Sequence, residues 1–264
     1  SMTSPWFGPY TFCTPCAVVV APYNENYSGS DWVPTTGSPY NSTFDECWSS
    51  YPASQGGGYT FKWVVENGST VSSSTGPSSG NGGSGKYVYT EGSNGSTGNK
   101  AFMKTPTVDF SGITNPTLSF YYHMYGSATA DLHVLFLSDT IIDTLVTISG
   151  QQHASSAAAW TELNIDLSTH ALTPGEIQFI GVKGNGFACD MAIDDIKIDA
   201  AGCYDPTKVA SSFVSTYSAG ITWNGFGTSQ EYYVEYGFSG FTQGTGVGIM
   251  DTVTSTVDTL LALL

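Results

Sequence analysis

The chain of 264 residues carries a formal charge of −15, with seven lysines and no arginine, and only 11% of its residues are charged. Without a guanidinium there is no bidentate clamp for phosphate, and the mean field repels polyanions, so nucleic acid is excluded as a partner. No apolar run approaches the ~20 residues of a membrane helix, so no membrane span is expected.

Aromatics make up 14% of the chain, glycines number 31, and Ser and Thr are abundant. That mixture favours strands and turns over helices. The expectation is an all-β protein, in which one large sandwich with fragments and two whole domains are equally compatible with the length. Excess carboxylates must be solvated, dispersed or neutralised, which mildly favours a bound calcium.

In chain order, Ser1-Met2 reads as an expression scar, and Pro5 to Thr14 as a short extended segment with no core of its own. Val18-Val-Val20 leads into Tyr23 to Gly29, the expected first strand of the main domain. From Asp31 to Lys100 the chain is loop-rich, with Trp32, Trp48 and Trp63 among Gly56-Gly-Gly58 and the Gly/Ser run from Ser72 to Gly85. Such loops on a β scaffold commonly carry binding function. Tyr87–Glu91 restores strand character. The stretches 132–137, 141–148, 160–167 and 176–182 follow at short spacing, as a sandwich or jelly roll requires.

Thr117 to Gly126 is expected to be the central strand. Leu118, Phe120, Tyr122 and Met124 share one face and Ser119, Tyr121, His123 and Tyr125 the other, by the period-two rule. Its expected neighbours are Thr105–Ile113 and Asp190–Ile198. By the same alternation Ala192, Asp194, Ile196 and Ile198 share a face, which sets the Asp194 carboxylate on an apolar surface. With no arginine present, its relief is a metal or several backbone amides. Asp195 falls opposite, where Lys197 is an expected partner.

Cys13-Thr-Pro-Cys16 has redox or zinc spacing, but neither a helix nor a second such pair accompanies it, which favours structural disulfides in an oxidising compartment. Five cysteines leave one without a partner in the chain. His123, His133, His153 and His170 lack paired zinc spacing. An enzyme reading takes Tyr121, His123 and Tyr125 as an acid/base set; the competing reading packs them as a cross-strand aromatic patch.

Phe44-Asp-Glu-Cys-Trp48, Ser74-Thr-Gly-Pro77, Lys86 to Glu91, Thr105-Pro106, Thr117 to Gly126, Trp160 with Asp166-Leu-Ser168, and Cys189-Asp-Met-Ala-Ile-Asp-Asp-Ile196 occur in one order across residues 16–200. This series resembles a MAM domain, of the type found in secreted multidomain proteins of gliding bacteria. Cys203-Tyr-Asp-Pro206, Ile221-Thr-Trp223, Tyr233-Val-Glu-Tyr236 and Thr259-Leu260 resemble part of a fibronectin type III domain, and Trp6 to Thr14 resembles the last strand of another. The resemblance implies an upstream strand at 1–15, a MAM-like jelly-roll β-sandwich at 16–200 and a partial, immunoglobulin-like fibronectin type III sandwich at 201–264. The leading strand is expected to fill the edge left open in residues 203–264.

It further implies a noncatalytic, secreted or cell-surface module that binds a polysaccharide or a cell-surface glycoprotein. The alternatives are a passive spacer and a jelly-roll lyase or hydrolase. The family's first disulfide maps onto Cys16 and Cys47; Cys189 departs from the pattern, with Cys13 its expected partner, and Cys203 is expected to pair outside the chain. Sandwiches of this outline often hold one structural calcium between first and last strands, which would draw on Glu25, Asn26 or Ser28, and Asp194. Trp32, Trp48, Trp63 and Trp160 are the expected aromatic platform for a sugar, against the alternative that they belong to the core.

Overall fold

The computed structural model describes residues 16–35, 40–52 and 60–200, and beyond them 207–215, 218–224, 232–237, 240, 242, 249–254 and 257–261. Cys13, Cys203 and the expected upstream strand at 1–15 lie outside the described residues.

Strands dominate, as the composition predicts. In chain order they are β1 (Val19–Val20), β2 (Tyr23–Glu25), β3 (Ser49–Pro52), β4 (Trp63–Glu66), β5 (Tyr87–Thr90), β6 (Lys100–Lys104), β7 (Val108–Asp109), β8 (Pro116–Met124), β9 (Asp131–Leu137), β10 (Ile142–Ser149), β11 (Thr161–Asp166), β12 (Glu176–Val182) and β13 (Met191–Ala200). Eleven of them form two facing sheets, a five-stranded sheet ordered β10-β9-β12-β6-β3 and a six-stranded sheet ordered β11-β8-β13-β5-β4 with β2 added to β13, while β1 and β7 pair separately. The fold is an all-β jelly-roll sandwich. Farther along, β14 (Thr207–Val214), β15 (Ser218–Asn224) and β18 (Val257–Leu261) form one small sheet, and β16 (Tyr232–Tyr236) with β17 (Ile249–Val253) another.

Alternation explains the core. β8 turns Leu118, Phe120 and Met124 inward, and β12 answers with Ile177 and Phe179, all fully buried. Phe120 and Phe179 meet edge to face at 5.2 Å, joining the two sheets. Each such side chain contributes about 1.5–3 kcal/mol through burial. β8 is central, but its neighbours are β13 and β11. Thr105–Ile113, expected beside it, instead supplies β7, which runs parallel to β1 and bridges Gly175.

The period-two argument for β13 fails at one point. The pairing with β8 slips between Asp194 and Lys197, and Asp195 sits at φ 47, in the left-handed region that aspartate tolerates better than most residues. This bulge adds one residue, so Ile196 and Ile198 join the core with Met191 and Ile193, whereas Ala192 belongs to a separate cluster on the outer face. Asp194 therefore does not share a face with Ile196 and Ile198.

Candidate functional site

The outer faces of the two sheets differ. That of the six-stranded sheet is covered: Val64, Tyr87, Tyr89 and Ala192 are fully buried there, with Trp160 packed against them. The Gly/Ser-rich segment is the cover. Tyr87 donates to Gly68 O at 2.8 Å, Gly76 N to Tyr125 O at 2.8 Å, and Ser78 N to Ser156 O at 2.9 Å. These loops bury the sheet instead of presenting a ligand.

Under this cover lies the β13 bulge. Asp194 is only 3% exposed. It accepts Asn81 N on Oδ2 at 2.9 Å and Asp195 N on Oδ1 at 2.8 Å, and Asp195 accepts Asn81 Nδ2 at 2.8 Å. Gly80 permits the approach, since a Cβ there would sit 2.7 Å from Ser84 O and 3.2 Å from Asp194 Oδ2. Burial raises the Asp194 carboxyl to about 7, against the pull of the two amides. Lys197, the expected partner of Asp195, pairs with Asp199 at 2.9 Å.

Asn26, Ser28, Asn81, Asp194 and Asp195 line one polar recess of about 420 Å³, and Glu25, Asn26, Asn81 and Asp195 help line its neighbour. The expected ligands Glu25, Asn26 and Asp194 are thus brought to one region. The donor set is all oxygen, and the carboxylate pair suits a hard cation. Two features limit it: Glu25 Oε1 already accepts Tyr27 N at 2.6 Å, and among the described residues no three acidic, His or Cys side chains converge. Amide and backbone oxygens would have to complete the shell.

The expected tryptophan platform is corrected. Trp32, Trp48 and Trp63 are 2, 6 and 1% exposed. Trp32 and Trp48 pack at 5.3 Å in a cluster with Tyr27 and Phe44, and Trp63 Nε1 donates to Ala101 O at 3.2 Å. None offers a free face. Trp160 is half-buried, tied to Ser79 O and packed on Tyr87 and His123. Near Trp48, Cys16 and Cys47 form a disulfide across 31 residues, while Cys189 is a buried free thiol.

The acid/base trio does not assemble at the surface either. His123 is fully buried, stacked at 4.3 Å on His153. Burial, and after it the neighbouring His153, lowers its pKa to about 4.

Among the described residues, no segment gives the outer face of the five-stranded sheet a comparable cover. Cross-strand register places Tyr51, Phe102, Ile180, His133 and Thr147 in one row across β3, β6, β12, β9 and β10. Ser49, Lys104, Gln178, Leu135 and Thr144 form the row beside it. At about 4.8 Å per strand, each row spans roughly 19 Å. Tyr51 stacks on Phe102, with centroids 5.0 Å apart and planes within 7°, yet stays 42% exposed. Its hydroxyl accepts Gln178 Nε2 at 3.2 Å, which fixes the ring. Lys104 pairs with Glu176 at 2.5 Å, and His133 Nδ1 lies 2.8 Å from Thr147 Oγ1. Nothing in the sequence singled out Tyr51; only its register opposite Phe102 does.

The sequence profile of the family described as MAM domain, meprin/A5/mu matches residues 43–204. The chain belongs to the MAM family. Among its relatives, Neuropilin-1a of Danio rerio is 32% identical over 155 residues, covering 55% of this chain and 16% of that protein. MAM domain-containing protein 2 of Homo sapiens is 30% identical over 156 residues, covering 57% of this chain and 22% of that protein. The chain thus spans about a fifth or less of the length of these relatives.

Among solved structures, the K1 cleaved adhesin domain of Lys-gingipain from Porphyromonas gingivalis W83 is 15% identical with a TM-score of 0.45, covering 68% of this chain and 98% of that one. A family 11 carbohydrate-binding module from Clostridium thermocellum is 15% identical with a TM-score of 0.36, covering 60% and 91%. At these scores neither bears on function. Membership in the MAM family fits a binding or adhesion module.

Proposed function

We propose that this MAM domain is a noncatalytic extracellular module that binds a polysaccharide, free or on a cell-surface glycoprotein, through the open face of its five-stranded sheet. The observation that carries this reading is the contrast between the faces: one sheet is sealed by loops, and the other displays the exposed Tyr51 ring, stacked on a half-buried Phe102 and held by the buried Gln178 amide, beside hydroxyl and charged groups. Sugar rings present C–H faces for an aromatic ring and hydroxyls for polar side chains. A ring already held by Phe102 and Gln178 loses little freedom on binding.

The rest of the reading follows from the same chemistry. A structural calcium at the β13 bulge would take oxygens from Asp194, Asn26 and Glu25 and stiffen the junction of first and last strands. The disulfide suits an oxidising compartment, and among the described residues no helix is long and apolar enough to cross a membrane. We read β14 to β18 as part of a neighbouring fibronectin type III module.

Affinity electrophoresis in gels containing neutral or acidic polysaccharides tests the proposal. Retardation on at least one polymer, weakened roughly tenfold by Tyr51→Ala or Phe102→Ala, is expected. Retardation that survives both substitutions would place the ligand elsewhere, and none on any polymer would leave a spacer.

A further inference from the structure

At one end of the sandwich four loops line an open cleft of about 600 Å³ that belongs neither to the open sheet face nor to the bulge. Ser74, Tyr125, Ser127, Gln151, Asn185 and Phe187 supply its side-chain chemistry. Not one of the residues lining it carries a charge at neutral pH, although the chain as a whole stands at −15. The recess at the bulge, by contrast, holds Asp194, Asp195 and Lys86.

Two features set this cleft apart from an ordinary gap between loops. Phe187 is 56% exposed, a large apolar ring left in water at the rim, and it stands beside the uncharged polar side chains of the cleft. The wall that carries it is also held firmly. Lys183, buried below, donates its ammonium to Gly184 O and Gly186 O; Cys189 N donates to Phe187 O at 2.9 Å, and Ala128 N to Ala188 O at 2.9 Å. Gly126, at φ 147, lets the opposite loop close in, because a Cβ there would lie 2.4 Å from Ala188 O. The backbone of the walls is held in place, and an aromatic ring, several amides and hydroxyls line the cleft without a charge among them.

We propose that this cleft is a second ligand site, taking a neutral sugar ring or the end of a neutral glycan chain. Phe187 supplies the stacking face, and the Gln151 and Asn185 amides with the Ser74 and Ser127 hydroxyls supply donors and acceptors. Carboxylated or sulfated sugars find no countercharge here. The site is independent of the sheet face, so either can fail without the other.

The test uses the whole chain, labelled with ¹⁵N, and cellotetraose, laminaritetraose, mannotetraose, chitotetraose and neoagarotetraose as probes, followed through the side-chain amide signals of Gln151 and Asn185. At least one probe should shift both signals saturably at up to about 10 mM, and Phe187→Ala should weaken that binding roughly tenfold while leaving the melting temperature unchanged. Tyr51→Ala, on the sheet face, should leave these shifts in place. If no probe moves the two amides, or if Tyr51→Ala removes the shifts and Phe187→Ala does not, the proposal is overturned.

Discussion

His123 should make this domain acid-sensitive by an amount that can be isolated from every other titrating group. Its imidazole is fully buried, and its pKa is held near 4, against 6.5 unperturbed. The folded chain resists a proton that the unfolded chain accepts. Stability from this residue is therefore present above about pH 6.5 and is lost as the pH falls toward 4. A shift of this size corresponds to about 3.4 kcal/mol in full, of which about 2.5 kcal/mol is lost between pH 7.5 and pH 4.5. Buried carboxylates such as Asp194 oppose this trend, since their raised pKa values favour the protonated, folded state. The comparison must therefore be with His123→Phe, which keeps the ring packing against His153 and Trp160 and removes only the titration. Urea unfolding of both proteins at the two pH values gives four free energies. The variant's stability relative to the natural chain should rise by about 2.5 kcal/mol on acidification. A difference that stays constant with pH would refute the argument that burial beneath His153 controls this imidazole.

Three further outcomes follow. Calcium at about one hundred times its dissociation constant should add about 2.7 kcal/mol, a rise of roughly 5–10 °C by calorimetry; Asp194→Asn should abolish the rise, and a rise that persists would place the ion elsewhere. Trp63→Ala, which empties a core position and removes the indole donor to Ala101 O, should cost about 3–5 kcal/mol in denaturant unfolding, whereas a loss under 1 kcal/mol would mean the site collapses freely. Cys47→Ser, or reduction, should cost about 3–4 kcal/mol by releasing a closed loop of 31 residues, which a thermal melt with and without reductant would show.

The strands that could be read from the sequence are those with clean alternation between turn residues. β8, β9, β11 and β12 all lie within a residue or two of the expected stretches. β6 was hidden, because Lys100 and Lys104 bracket Ala101, Phe102 and Met103 and follow a Gly/Ser/Asn run that reads as loop. Its two buried residues become meaningful only once β12 and β3 lie on either side. The β13 register was misread for a different reason: a rule of period two has no place for an extra residue, and the left-handed turn at Asp195 reverses every later side chain. The tryptophans show a third limit. Residue type indicates large, partly polar rings but not depth, and Trp32, Trp48 and Trp63 are buried by pairings that span long separations. Asp194 is buried as expected, yet by the Asn81 loop over the bulge and not by a face shared with Ile196 and Ile198. Tyr51 was missed because its partner is 51 positions away.

The chemistry of the open face also governs how the domain can be handled. Of the seven lysines in the chain, Lys100 and Lys104 lie on the outward side of β6, on either side of Phe102. Amine-reactive coupling to a sensor chip or fluorophore can modify that surface, as it can Lys197 on β13, whose side chain is 54% exposed. If the open face binds sugar as proposed, a preparation modified there loses that signal, and attachment through a terminal tag keeps the surface free.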